Sequence, residues 1–277
     1  MVALSNHNKC TFIGGIKLKR KDKIFAHRAK CGCFLGNTIE GVQCCLNMGL
    51  NLEIDVQACQ NGLVVTHCEK LRQDHISQYP VETVRKFGIN RKDGSIVFAP
   101  ATVHGRSDVA RIPTLPEVLN LVSESEKEIK VILDIKKEQD NIEILDKIVS
   151  LVKNYNLVKQ IILGIPYQTD AIYIKKQSQI ATLLFGSKKD IRTIRSDNKT
   201  IDYVRIWQNW LENDFGEITN KPSNWISCLQ DLIHKKVIVT AGGMNEVQGG
   251  EISKGQFEKV IKLGADGIIV NDPAIYL

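Results

Sequence analysis

No apolar run in this 277-residue chain approaches the roughly 20 residues that a membrane-spanning helix needs. The first ten residues mix Ser5, Asn6, His7, Asn8 and Lys9 and hold no uninterrupted apolar stretch. No signal peptide is legible there, and a cytoplasmic setting is expected. None of the eight cysteines, at positions 10, 31, 33, 44, 45, 59, 68 and 228, forms a C-x-x-C pair. That spacing excludes a tetrahedral zinc site, and the cysteines read as reduced thiols. Cys31 and Cys33 are the exception to watch, because they follow a suspected catalytic residue by a few positions. A large charge of one sign is missing too: 37 Lys and Arg against 31 Asp and Glu leave +6. Without an aromatic-interleaved basic stripe, this excess argues against nucleic acid. It suits a small anionic ligand or weak contact with a membrane surface. Internal repeats and low-complexity tracts are absent as well. What is present is a 43% hydrophobic content, enough to fill a real core.

Residues 1–23 read as a basic lead-in ending in Lys17-Leu-Lys-Arg-Lys-Asp-Lys23, and 24–277 as one domain. Eight short apolar runs fit strands buried on both faces: Ile24–His27, Gly49–Val56, Ile129–Ile135, Ile161–Ile165, Ala181–Phe185, Tyr203–Trp207, Lys236–Ala241 and Gly267–Val270. Helical spacing separates them. Ile39, Val42 and Leu46 follow Asn37-Thr38; Thr114-x-x-Glu117 and Ser253-x-x-Gln256 are capping boxes; Ile144, Ile148, Leu151 and Val152 mark another helix. Eight strand–helix alternations predict a single (β/α)8 TIM-type barrel. Asn61-Gly62 reads as a hairpin turn followed by Leu63, Val64 and Val65. The long polar segment 69–112 reads as an insertion over the barrel mouth.

In Asn51-Leu-Glu-Ile-Asp-Val56, Glu53 and Asp55 are two apart on a strand and point to one side. Paired carboxylates in an apolar strand resist ionising unless a cation joins them. They read as a divalent-metal site or as surface acids on an edge strand. Asp134, inside Val131-Ile-Leu-Asp-Ile-Lys136, is a third strand acid, with Lys136 two residues on. Oxygen ligands with open positions suit one Mg2+ or Ca2+. His27 and His67 close two apolar runs, and imidazole is the natural acid/base near neutral pH. Arg28, next to His27, offers a fork for phosphate oxygens. Trp207 ends a strand and could stack on a substrate or pack in the core.

Taken in order, His27-Arg28, Gly36-Asn-Thr38, Glu53-x-Asp55, Asn61-Gly-Leu-Val-Val-x-His67, Ile112-Pro-Thr-Leu-x-Glu-Val-Leu119, Leu133-Asp-Ile-Lys136 and Ala265-Asp-Gly-Ile-x-x-x-Asp272-x-Pro form a series. The series resembles the glycerophosphodiester phosphodiesterase family from about Ile24 to Pro273. The resemblance implies a β/α barrel that hydrolyses small anionic phosphodiesters with a divalent cation. It makes Glu53, Asp55 and Asp134 metal ligands and His27 and His67 the general acid/base pair. Arg28, Lys136, Asn37 and Trp207 become substrate contacts. Ala29 stands where the family has Gly, Gly36 where it has Glu, and Asp134 where it has Glu. The runner-up readings are a lyase or transferase forming a cyclic phosphate, like the spider-toxin phospholipases, and a non-catalytic phosphate-binding barrel.

Overall fold

The computed structural model describes residues 21–71, 73–92, 94–98, 108–137, 141–194, 198–208, 210, 230, 234–241 and 252–277. Most of the basic lead-in, His104 and the glycine-rich 242–250 lie outside them. Eight parallel strands close into a ring: β1 (Ile24–Ala26), β2 (Asn51–Cys59), β9 (Val131–Lys136), β10 (Ile161–Ile165), β11 (Ala181–Leu184), β12 (Tyr203–Trp207), β13 (Lys236–Thr240) and β14 (Gly267–Val270). Pairing of β1 with both β14 and β2 shuts the barrel. All eight coincide with the apolar runs, because a parallel strand covered on both faces must be apolar throughout. Helices α1 (Ile39–Met48), α3 (Leu115–Ser123), α4 (Glu143–Asn154), α5 (Gln168–Gln177), α6 (Lys188–Arg192) and a last helix, Lys254–Lys262, fall between strands. Lys188 and Lys189 open α6, capped by Ser187.

Strand parity divides the core. Residues such as Leu52, Ile54, Val131, Leu133, Val237 and Val239 pack outward with the helices. Phe25, Ile132, Ile162, Leu183, Ile238 and Ile269 form a separate inner cluster. Moving two residues towards the carboxyl end from each of these reaches His27, Asp134, Gly164, Phe185, Thr240 and Asn271. The apolar plug thus hands over to a mostly polar ring, His27, Asp134, Thr240 and Asn271 with Gly164 and Phe185, at the end where barrels of this kind carry chemistry.

The hairpin turn differs from expectation by one residue. Gln60 and Asn61 make the turn, and Gly62 already pairs with Cys59 at the start of β3 (Gly62–Val65). Segment 69–112 is more ordered than its polarity suggests. It holds a ribbon of β4 (Lys70–Leu71) and β5 (Asp74–His75), a short α2 (Val81–Val84), and a three-stranded antiparallel sheet of β6 (Phe87–Asn90), β7 (Ile96–Phe98) and β8 (Val109–Arg111). Leu71, Ile76, Val84, Phe87, Ile89, Ala110 and Ile112 pack with Cys59 and Val64 of the hairpin. Strands of three or four residues are too short for periodicity to announce them.

Cys31 does not face Cys33, which is exposed. It lies instead against Cys44, with the sulfurs 2.7 Å apart, and Met48, and none of the described cysteines forms a disulfide.

The capping box at α3 is complete: Thr114 Oγ1 accepts from the Glu117 amide and the Glu117 carboxylate accepts from the Thr114 amide. Thr114→Ala should destabilise the fold by about 1 kcal/mol, seen as a melting temperature lower by roughly 2–4 °C. An unchanged melting curve would remove the cap from the account of how α3 begins.

Candidate active site

The polar ring surrounds a cavity of about 620 Å³ at the carboxyl end of the strands. Asp55 is its hub. It is 2% exposed, and its Oδ2 accepts a hydrogen bond from Asn37 Nδ2 at 2.8 Å. The same oxygen lies 3.3 Å from Arg28 Nε and 3.4 Å from His67 Nδ1. Lys136 Nζ lies 2.9 Å from Asp55 Oδ1 and also bonds to Asp134. Burial alone would raise the Asp55 carboxyl, but the His67 hydrogen bond and the Lys136 and Arg28 charges outweigh it. The group is held well below the usual carboxylate range.

Glu53 has the opposite environment. Its carboxylate accepts from the Arg28 amide at 2.8 Å, yet among the described residues no Lys or Arg side chain lies within 4.0 Å of it. Burial, with the Asp55 and Asp134 charges, pushes it up to about 8. Burial and Asp55 raise Asp134 as well, despite Lys136. The Glu53, Asp55 and Asp134 carboxylates each offer an oxygen within 4.8 Å of the others. Parallel pairing sets Asp55 directly beside Asp134, and strand alternation adds Glu53 to the same face. The donor set is all oxygen and short of positive charge at Glu53, which fits a hard divalent cation.

The two imidazoles reach this cluster from different elements. His27 follows β1, with Nε2 3.9 Å from Glu53 Oε2. Its Nδ1 is bonded to Asn271 Oδ1, which fixes the proton on Nδ1 and leaves Nε2 as an acceptor. Burial and the Arg28 charge lower His27 to about 4, so it is neutral near pH 7. His67 follows β3. The antiparallel return, which joins Thr66 N to Asp55 O at 3.1 Å, delivers it beside Asp55.

Arg28 and Ala29 both have left-handed backbone, φ 55° and 53°. That turn aims the Arg28 amide at Glu53. Gly36 lies beneath it, where a Cβ would come within 2.7 Å of Arg28 Cβ. A glutamate at 36 has no room in this arrangement. Asn37, expected to contact substrate, uses both ends of its amide on Asp55: Nδ2 on the carboxylate and Oδ1 on the Asp55 amide. Trp207 and Lys136 line the cavity, and Ile89, Gly94 and Ile96 of segment 69–112 form part of its wall.

No protein-family model matches the chain, and no curated protein matches it. Solved structures do. A glycerophosphodiester phosphodiesterase from Parabacteroides distasonis aligns with a TM-score of 0.64 at 17% identity, over 91% of this chain and 93% of that one. Another from Agrobacterium tumefaciens gives 0.62 at 13%, over 92% and 98%. An Oleispira antarctica phosphodiesterase, solved with the product sn-glycerol-3-phosphate, gives 0.62 at 16%, over 90% and 92%. The chain has the fold of these enzymes. Among the described residues, no helix is long and apolar enough to cross a membrane.

Among the cavity residues, Arg205 and Asn271 escaped the sequence reading. Arg205 is a lone charge in Tyr203-Val-Arg-Ile-Trp207, the same signal that singled out Asp134. Asn271 is the polar residue that ends the run Gly267–Val270, at the position where β1 offers His27.

Between pH 6.5 and 8 the folded chain keeps a proton on Glu53 that the unfolded chain, with its carboxyl near 4.5, has released. Raising the pH through this window therefore favours unfolding, by at most about 1.4 kcal/mol per pH unit for one proton. Below pH 6.5 the lowered His27 acts in the opposite sense, since the unfolded chain then binds the extra proton. Thermal melts in chelator should show stability falling from pH 6.5 to 8, and added magnesium or calcium should raise it more at pH 8 than at pH 6.5. A flat profile that the cation shifts equally at both pH values would contradict the charge assignment of Glu53.

Proposed function

We propose that this chain is a metal-dependent phosphodiesterase of the glycerophosphodiester phosphodiesterase family. It cleaves a small glycerophosphodiester to a phosphomonoester and an alcohol. The observation that carries the reading is the placement of two differently held imidazoles beside one three-carboxylate cluster, in a cavity that also presents Arg28 and Lys136. The product bound in the Oleispira antarctica neighbour is the class of ligand this cavity would take.

Glu53, Asp55 and Asp134 would hold one magnesium or calcium ion. When bound, that ion supplies Lewis-acid polarisation of a phosphoryl oxygen. The Arg28 and Lys136 charges bind and orient the substrate phosphate. His27 Nε2, unprotonated because Nδ1 is tied to Asn271, accepts the proton of the attacking hydroxyl. His67 gives a proton to the departing alkoxide while Asp55 steadies its ring. The attacking oxygen belongs either to water or to the glycerol hydroxyl beside the phosphate. In the second case a cyclic phosphate forms first.

Phosphorus NMR of glycerophosphodiesters with the enzyme follows cleavage and cyclic product together. Cleavage should stop in chelator and return with magnesium or calcium. His27→Ala and His67→Ala should each lower turnover about 10²- to 10⁴-fold, with the double variant little worse than either. Near-normal turnover in both variants, or full activity after exhaustive chelation, would sink this reading.

Segment 69–112 is proposed to act as a hood that selects among diesters. Ile96, half-buried on the cavity wall, is the place to probe it. Ile96→Asp should raise KM for anionic diesters several-fold and leave kcat unchanged. If KM held constant for every diester, the segment would have no part in selection.

A further inference from the structure

Arg205 stands on β12, four strands round the closed barrel from β2, and so across the mouth from Glu53 and Asp55. Its side chain is buried, at 9% exposure, and lines the same cavity as the carboxylate cluster. The guanidinium carbon lies 4.9 Å from the centre of the Phe185 ring and 4.5 Å from that of Trp207. Gly164 makes room for this stack, since a Cβ there would come within 2.4 Å of Phe185 Cε2. Among the described residues no carboxylate pairs with Arg205. Its Nε and Nη1, and the indole Nε1 of Trp207, are buried without a hydrogen-bond partner in the protein.

Buried donors left without acceptors are costly, and a charged one more so. Three of them gathered on one wall of a substrate cavity amount to a preset demand for an anion. The guanidinium fork suits the two oxygens of a carboxylate or phosphate. Burial lowers the Arg205 pKa to about 10 against the opposing charges of Asp134 and Glu53, so the charge persists at neutral pH. Two aromatic rings at a cavity wall would ordinarily welcome a quaternary ammonium. Here they already hold the chain's own cation, and a positively charged alcohol would meet Arg205 instead of a free ring face.

We propose that Arg205 and Trp207 form a second anion subsite, and that the substrate is a phosphodiester whose alcohol carries its own carboxylate or phosphate. The substrate class rests on the phosphodiesterase reading; the anion subsite does not. One end of the molecule would sit at the carboxylate cluster and the anionic alcohol would reach across the mouth to β12.

Two measurements separate these statements. The first is calorimetry in magnesium with propyl phosphate, 3-phosphooxypropanoate and propane-1,3-diol bisphosphate. The second and third probes should bind at least roughly tenfold more tightly than the first, and the tighter of them identifies the preferred anion. Arg205→Met keeps the packed stem, and it should abolish the preference while the protein melts at or above the wild-type temperature. Arg205→Lys, which keeps charge without the fork, should retain part of the preference and serves if the Met variant fails to fold. Equal binding of all three probes by wild type, or a preference that survives Arg205→Met, overturns the subsite.

The second measurement compares kcat/KM on glycerophosphocholine, glycerophosphoglycerol and glycerophosphoglycerol phosphate. Arg205→Met should lose roughly 10- to 100-fold on the last, change little on the second, and gain on the first. An equal loss on all three would mean that Arg205 serves the scissile phosphate, and the proposal would fall. If wild type cleaves none of them yet shows the Arg205-dependent preference, the phosphodiesterase reading fails and the subsite stands. Cleavage indifferent to Arg205 leaves the reading intact and removes the subsite.

Discussion

Mutual repulsion among three carboxylates, two buried and one half-buried, organises this end of the barrel. Glu53, Asp55 and Asp134 are forced together by strand alternation and by the pairing of β2 with β9. Nearly every polar residue nearby answers that repulsion. Lys136 bridges Asp55 and Asp134, Arg28 and His67 approach Asp55, and Asn37 donates to it. The relief is uneven. Asp55 is over-compensated and Glu53 under-compensated, so one carboxylate is firmly ionised while its neighbour holds a proton past neutrality. Such a split is what a cation-binding cluster looks like when the chain supplies only part of the positive charge.

The barrel was largely legible because its strands are covered on both faces and leave continuous apolar runs, such as Ile161–Ile165 and Gly267–Val270. A single charge breaking such a run is informative, since burial of an unpaired ion is expensive. Asp134 stood out for that reason, and Arg205 could have stood out equally. What stayed hidden depended on distant contacts. No spacing reveals that Asn271 meets His27 across 244 positions of sequence. The small sheet of β6, β7 and β8 was invisible because its short strands, such as Phe87-Gly-Ile-Asn90 and Val109-Ala-Arg111, are broken by glycine and polar residues. Gln60 replaced Gly62 in the hairpin turn because the register of β2 with β3, set by Val56 opposite Val65, already uses Gly62.

The departures from the resembled family also gain a physical account. Ala29 takes a left-handed backbone that glycine would adopt more cheaply, and its burial leaves no space for anything larger. Gly36 lies where a side chain would collide with Arg28. The Arg28 side chain therefore fills the volume that a longer residue at 36 would need, and its charge faces Asp55.

The β1–β2 junction has a mechanical consequence. β1 is three residues long, and only two residue pairs, Phe25 with Asn51 and Ala26 with Leu52, join it to β2. Every other junction in the ring except β11 with β12 has at least three. Just beyond those two pairs, the Arg28 amide reaches Glu53 and the Asn37 amide reaches Asp55. Polar contacts of the carboxylate cluster thus extend a thin seam that backbone pairing leaves short. The first strand is thus held to the second by side chains as much as by backbone, and a change at Arg28 or Asn37 loosens the ring as well as the cluster.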